Sequence, residues 1–249
     1  MRKHRKLNKL PSFYRNNRGN NRKHKHRKYD RNYQNTILAR TISARLLFED
    51  RVFFNVNLRG ARLRKIEIDS GKFILCDFPG AIFNKGKFRR VTFKKCVFVA
   101  TIFRDCRFED STFEKCYFIN TNIKELEPCC KFIDCRHYNH NGLRIPSDID
   151  KKIEFARARR IFQENRLLHI KGGKINKTTL FIILQKLRPN IFINNLQHLC
   201  EVGEIDKIYT TMRLLECLVN VTQQNSKDPK FLKAGSPIEI IQPQLQADT

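Results

Sequence analysis

Acidic residues are scarce in this chain of 249: 24 Asp and Glu stand against 50 Lys and Arg, a formal net charge of +26. A surface of that sign repels basic partners and attracts polyanions. Long apolar runs are also missing. The longest clean one, Leu180 to Leu184, is far short of the roughly 18 residues that span a bilayer. The N-terminus carries no apolar stretch of the secretory kind, so a soluble, non-exported protein is expected. Catalytic signatures are equally thin. Lys171-Gly172-Gly173-Lys174 lacks the Gly-Lys-Ser/Thr ending and the preceding strand of a phosphate loop, and reads as a turn. His169 and His198 fall on predicted helices with no paired acid or nucleophile in the pattern. No enzyme class, cofactor or small-molecule substrate is expected.

What is present is a period of five. From Val56 to Glu125 the third place of every unit is Leu, Ile or Phe, and the ten units from Phe73 to Phe118 all use Phe. Five matches neither the helical period of 3.6 nor the strand period of 2, so no straight element keeps those rings on one side. The backbone has to turn once per unit, and stacked turns build a solenoid whose coils bury apolar side chains against one another. Two residues before each ring stands a mostly small residue, among them Ala61, Gly71, Cys76, Ala81, Gly86, Cys96, Thr101, Cys106, Ser111, Cys116 and Thr121.

This pattern resembles the pentapeptide-repeat protein family over residues 56–125. The resemblance implies a mainly β fold, a right-handed four-sided β-helix with four units per coil and with the small and central places inward. One branch of the family imitates a DNA duplex with an acidic surface and inhibits DNA topoisomerases. The repeats here carry fifteen Lys and Arg against eight Asp and Glu, a net +7, so that role is not expected. Membership by itself says little about activity.

Four units per coil put Cys76, Cys96 and Cys116 on one interior wall and Cys106 on the opposite one, as small apolar fillers. Thiols used this way fit a reducing compartment, the cytoplasm or an organelle matrix such as that of a mitochondrion or plastid. Cys129, Cys130, Cys135, His137 and His140 bring thiols and imidazoles close in sequence, a metal-like set. Their spacing fits no standard finger, and the repeat places Cys130 and Cys135 at small positions, so no metal is expected and the segment reads as coil-terminating packing.

Four regions follow. Residues 1–45, with fifteen Lys and Arg and the single acid Asp30, form a basic disordered arm. Residues 46–140 form the β-helix, 146–222 an α-helical region and 223–249 an extended tail. In the helical region, Ser147 and Asp150 suggest a capping box opening one helix that runs to about Lys171. Further helices are expected over 178–187, stopped by Pro189, over 191–202 with Gly203 as C-cap, and over 204–221.

Sorting outward residues by twenties gives four walls. One exposes Val97, Val99, Tyr117 and Ile119, an apolar strip expected to be covered by the helices or by a partner. A second carries Arg62 and Arg64, a third alternates charge from rung to rung, and a fourth carries Lys94 and Lys95. With Arg2, Lys3, Arg5, Lys6, Arg22, Lys23, Lys25, Arg27 and Lys28 of the arm, the cations of the second and fourth walls are expected to contact nucleic-acid backbone, RNA in preference to DNA. The reading is a non-enzymatic architectural protein, a ribosomal or other ribonucleoprotein component within a larger assembly. The alternative is a protein-interaction scaffold working through the apolar wall and the helices. A basic, acid-poor N-terminus also fits an organelle presequence.

Overall fold

The computed structural model describes residues 27–29, 32–139, 141 and 143–225. The chain divides into two compact units, residues 1–141 and 142–249. The first is a parallel β-solenoid of about five turns. Its walls are a five-stranded, a six-stranded, a three-stranded and a four-stranded sheet. Between the first and last pairs, each rung pairs in parallel with the residue twenty positions away, as in Phe73 with Phe93 and Phe93 with Phe113; Arg27 pairs with Leu46, nineteen away.

The period of five has a direct backbone cause. Every fifth residue from Asn35 to Asn120 has positive φ, between +47° and +63°. A left-handed residue turns the strand through a corner, and four residues, typically three of them in a strand, follow before the next one. Only Gly60 and Gly80 among these corners are glycine, although a non-glycine residue in this region costs roughly 1–2 kcal/mol. The strain is offset by hydrogen bonds that continue through the corners: Lys65 N donates to Asn84 O at 2.8 Å, and Gly80 N to Val99 O at 2.7 Å.

Inside, the rings stack in columns. Phe53, Phe73, Phe93 and Phe113 follow one another at 4.4, 4.9 and 4.7 Å with interplanar angles of 11° or less. Phe78, Phe98 and Phe118 do the same at 4.8 and 4.9 Å. Around the coil, neighbouring rings meet edge to face, as Phe83 meets Phe88 at 5.6 Å and 74°. The small place between them is a donor site. Thr101 Oγ1 donates to Phe78 O at 2.8 Å, and the thiols of Cys76, Cys96 and Cys116 reach the carbonyls of Phe53, Phe73 and Phe93 at 3.2, 3.4 and 3.3 Å.

The solenoid begins earlier than residue 46. Arg27–Tyr29 pairs with Leu46–Glu49, Tyr33–Ile37 with Val52–Asn57, and Ile42–Ala44 with Arg62–Arg64. The boundary drawn at residue 45 is therefore corrected: Tyr33 stacks on Phe53 at 5.3 Å and 6°, and Leu38 and Ser43 hold central places at 1 % exposure. The coil here lacks phenylalanine, and polar inward residues hid its register. Arm residues Arg2, Lys3, Arg5, Lys6, Arg22, Lys23 and Lys25 lie outside the described residues.

At the other end the coil shortens by one residue. Ser111 pairs with Cys130 and Tyr117 with Arg136, a separation of nineteen in place of twenty. The segment before Cys130 forms turns in place of strands on two walls, with Leu126 buried as a plug. The six-stranded and three-stranded walls continue through Cys130–Ile133 and Arg136–Tyr138.

The second unit contains, among the described residues, α1 (Ile149–Lys152), α2 (Glu154–Arg157), α3 (Arg160–Asn165), α4 (Lys177–Leu184), α5 (Pro189–Glu201) and α6 (Thr211–Asn225). The single helix expected from Ser147 is thus three short pieces. Asp148 stands at its N-cap without a side-chain cap bond, and Ile153 and Arg159 leave helical geometry. The buried residues step by five from Ala156 to Ile161, which a continuous helix would carry off one face. α4 ends at Leu184, short of the expected 187, and Pro189 opens α5 at the first turn after the extended Arg188, where its missing N–H is harmless. Buried side-chain amides tie this unit together, Asn165 Nδ2 donating to Ile208 O at 2.7 Å and Asn195 Nδ2 to Leu218 O at 2.8 Å. The tail is expected from 223, but α6 runs through Asn225; residues 226–249 lie outside the described ones.

Phe93→Ala should lower the unfolding free energy by about 3–5 kcal/mol, because the ring leaves a cavity between two stacked partners; urea denaturation measures it, and an unchanged midpoint would contradict the column. Ala100→Gly, at an exposed left-handed corner with φ +47°, should raise stability by up to about 1 kcal/mol, since relief of the left-handed penalty exceeds the added chain entropy.

Candidate functional site

The four walls carry charge in different ways, and register decides which charges remain available. On the five-stranded wall, strands Glu67–Asp69, Lys87–Arg89 and Arg107–Glu109 lie in successive rungs. Opposite charges therefore fall directly above one another. Lys87 Nζ lies 2.9 Å from Glu67, Arg89 Nε 3.1 Å from Glu109, and Arg90 bonds Asp69. Most of this wall's ions are thus paired, as the alternation in sequence indicated, while Arg107 stands over Lys87.

The six-stranded wall does the same at one of its expected contact residues. Lys94 Nζ lies 2.8 Å from Glu114, one rung away, and the salt bridge with Lys94 holds the Glu114 carboxyl below its usual range. Lys94 is thus engaged within the wall, and Lys95 sits at a left-handed corner beside it.

The four-stranded wall is different. Its outward residues form two columns, Ile42, Arg62, Ile82 and Ile102 in one and Ala44, Arg64, Asn84 and Arg104 in the other. No carboxylate lies in register with any of these arginines. Arg62, Arg64 and Arg104 are exposed and have no ion-pair partner among the described residues, and Lys85 stands exposed at the adjoining corner. Beside them Ile42 and Ile102 are 45 % and 42 % exposed. Guanidinium groups and isoleucines are thus interleaved on this parallel sheet.

The three-stranded wall is largely closed. Val97, Tyr117 and Ile119 are buried and Val99 is half-buried. Tyr117 stacks with Tyr138 at 6.4 Å and 17°, and burial pushes its hydroxyl up. Arg27 and Lys28 of the expected contact set lie on the first strand, Arg27–Tyr29.

The metal-like segment behaves as coil. Phe132 stacks on Phe113 at 5.1 Å, and His137 on Phe118 at 5.0 Å and 3°, in the central places of the last turn. Cys130 and Cys135 take the small places, Cys129 is exposed in the preceding turn, and His140 lies outside the described residues. Beside this end a cleft of about 460 Å³ opens, lined by Phe118, His137 and the amides of Asn120, Asn122 and Asn139. Thr121 and Tyr138 complete its lining, which contains no carboxylate among the described residues.

The period, the four walls and the inward rings agree with a match of residues 66–136 to the family model described as a pentapeptide repeat region. This stretch is a pentapeptide-repeat solenoid. Among solved structures, a trypsin-treated form of QnrB1, a plasmid-mediated fluoroquinolone resistance protein, is similar at 13 % identity with a TM-score of 0.17, covering 47 % of this chain and 91 % of that one. No curated protein matches the chain. No helix among the described residues is long and apolar enough to cross a membrane.

One association in the second unit escaped the sequence. His169 is not helical; it forms an isolated bridge with Ile175, and its Nε2 lies 2.9 Å from Asp150 Oδ1. With Glu154 these make up the one group of three ligating side chains among the described residues. Glu154 also bonds Arg157 at 3.2 Å. The pair joins α1 to a turn nineteen residues on, a distance at which no local pattern speaks.

Arg89→Ala removes contacts to Glu109 and Asp69 and should cost at most about 1 kcal/mol, fading as salt rises. Arg64→Ala should stay within about ±0.5 kcal/mol with no salt dependence. Urea titrations at low and high ionic strength measure both, and a salt-sensitive loss at Arg64 would show that its charge is already used within the protein.

Proposed function

We propose that this chain is a non-enzymatic interaction scaffold, and that the four-stranded wall of its pentapeptide-repeat solenoid docks an acidic protein surface. The observation that supports this reading is the contrast among walls. On two charged walls Lys87, Arg89, Arg90 and Lys94 pair along the rungs, whereas on the four-stranded wall all three of Arg62, Arg64 and Arg104 lack an ion-pair partner among the described residues, beside exposed Ile42 and Ile102. Arginine next to apolar side chains is the composition of interface cores, and complementary charge gives a partner orientation and a fast on-rate. A wall four rungs high, with about 4.8 Å between rungs, supplies only part of the roughly 800 Å² that each partner contributes to a stable interface. Docking therefore includes the corner cations around Lys85.

A second reading, backbone contact with RNA, draws on one specific feature, the fifteen Lys and Arg against a single acid in residues 1–45. The free arginines of the wall would serve phosphates as readily as carboxylates. Here the N-terminal segment supplies most of the affinity and the solenoid a supplementary surface. In both readings the nine free cysteines belong to a reducing compartment.

Crosslinking the full chain in cells and recovering it before and after RNase and DNase treatment separates the two. Under the scaffold reading, protein partners persist after nuclease treatment and are lost from the double variant Arg64→Glu, Arg104→Glu, whose melting temperature stays unchanged. Partners that leave with the nucleic acid, or that ignore the double charge reversal, would overturn it.

A further inference from the structure

The interior carries a column of four thiols. The register of twenty aligns Cys76, Cys96 and Cys116, and the one-residue shortening of the last turn brings Cys135 directly beyond Cys116, because Tyr117 pairs with Arg136. Each sulfur also donates to a main-chain carbonyl of the preceding coil, Cys116 to Phe93 at 3.3 Å and Cys135 to Phe113 at 3.3 Å. That task does not require sulfur. Ser111 and Thr101 perform it elsewhere with hydroxyls, and glycine, alanine and valine fill the same place at Gly86, Ala81 and Val91. Packing alone thus leaves four consecutive thiols in one column unexplained.

We propose that Cys116 and Cys135 form a binding site for a soft monovalent cation of the Cu(I) class, held linearly between the two sulfurs. Stacked rungs in a parallel sheet lie about 4.7–4.9 Å apart, and two metal–sulfur bonds of about 2.3 Å placed end to end span about 4.6 Å. The rung spacing therefore suits a two-coordinate ion with little movement. Four-coordinate zinc does not fit, since the rest of the interior at this level is the rings of Phe113, Phe118 and Phe132. Thiolate ligands without oxygen or nitrogen donors select soft cations over magnesium or calcium.

Cys116 is buried and Cys135 half-buried, and both enter the site as thiols. Binding breaks two S–H bonds, forms two S–metal bonds, releases two protons to solvent and moves no electron. Affinity must therefore rise with pH. The resulting site bears one negative charge, and Arg136, half-buried in the same rung, offsets it. Entry is from the end of the coil, where Cys135 occupies the last rung of the three-stranded wall and is half-buried, whereas Cys116 is buried.

The test uses the reduced full-length protein under anaerobic conditions, with Cu(I) presented by a chromogenic chelator and Ag(I) in a parallel thermal-shift series. The wild type should withdraw one equivalent of Cu(I), more strongly at higher pH, and Ag(I) should raise its melting temperature. Cys135→Ser keeps a hydroxyl for the Phe113 carbonyl, as Ser111 does for Phe88, so it retains the fold, which circular dichroism checks. It should lose at least the roughly 10–100-fold in affinity that even outer-shell changes cost a metal site. Cys116→Ser should lose as much, and if it does not fold, Cys135→Ser decides alone. Cys76→Ser should bind like the wild type. Undiminished binding in Cys135→Ser, or loss of binding in a Cys129→Ser, Cys130→Ser double variant, would overturn the assignment.

Discussion

Aromatic stacking at the spacing of a parallel sheet is the interaction on which the solenoid depends. Hydrogen-bonded strands lie about 4.8 Å apart, and offset-stacked rings prefer centroid separations from about 4.5 Å upward. The columns meet both requirements at once: Phe78 and Phe98 lie 4.8 Å apart with planes 2° from parallel, and Phe88 and Phe108 lie 4.5 Å apart at 9°. A ring in each central place from Phe73 to Phe118 leaves little room for a second large inward residue per unit. This accounts for the small place two residues earlier, where a Cβ added to Gly86 would lie 2.9 Å from the Phe88 ring. The same crowding sustains the strained corners. Seventeen non-glycine residues in the coil hold positive φ, a state the isolated chain would leave and the stacked rungs enforce.

How legible this was depends on how strongly each feature repeats. The Phe73 to Phe118 units announce both the turn and the inward ring, since no other regular structure has a period of five. Tyr33, Leu38 and Ser43 serve the same columns with three chemically different side chains. Their register became visible only when the strands paired. The one-residue shortening before Cys130 is another case. Cys130, Phe132, Cys135 and His137 kept the local spacing, so their places were readable, but the partner of Cys135 was not, because it depends on a count of nineteen across an irregular turn. The helical unit shows the opposite limit: mixed three and four spacings suggested one helix over residues that make three, since the step from Ala156 to Ile161 is a tertiary matter.

The candidate surface was half legible for a related reason. Counting by twenties located Arg62, Arg64, Lys94 and Lys95 on two basic walls, yet a wall's net charge does not say which charges are free. That is settled by what stands one rung above and below. Glu114 lies over Lys94 and takes its charge. Arg62 lies between Ile42 and Ile82, which take nothing. Sequence composition predicted an anion-seeking protein, and the rung-by-rung register shows which of the expected wall cations are paired within the coil and which are not.

A rigid stack also changes what a small set of arginines can do. Side chains of this length on a mobile loop lose rotamer and backbone freedom on binding, and that loss offsets much of the charge attraction. On the four-stranded wall the backbone is already fixed by hydrogen bonds on both sides, such as Arg62 N to Thr41 O at 2.7 Å and Ile82 N to Ala61 O at 2.8 Å. Only the side chains remain to be ordered. Arg64 and Arg104 lie two rungs apart in one column, about 9.6 Å by strand spacing, with Asn84 between them. A partner must present acids at a matching interval to engage both. Under the proposed docking, the geometry of the coil would act as a filter: a diffuse polyanion gains from any one arginine, whereas a structured acidic surface of the right spacing gains from both together with the isoleucines beside them, and that difference in binding energy is specificity.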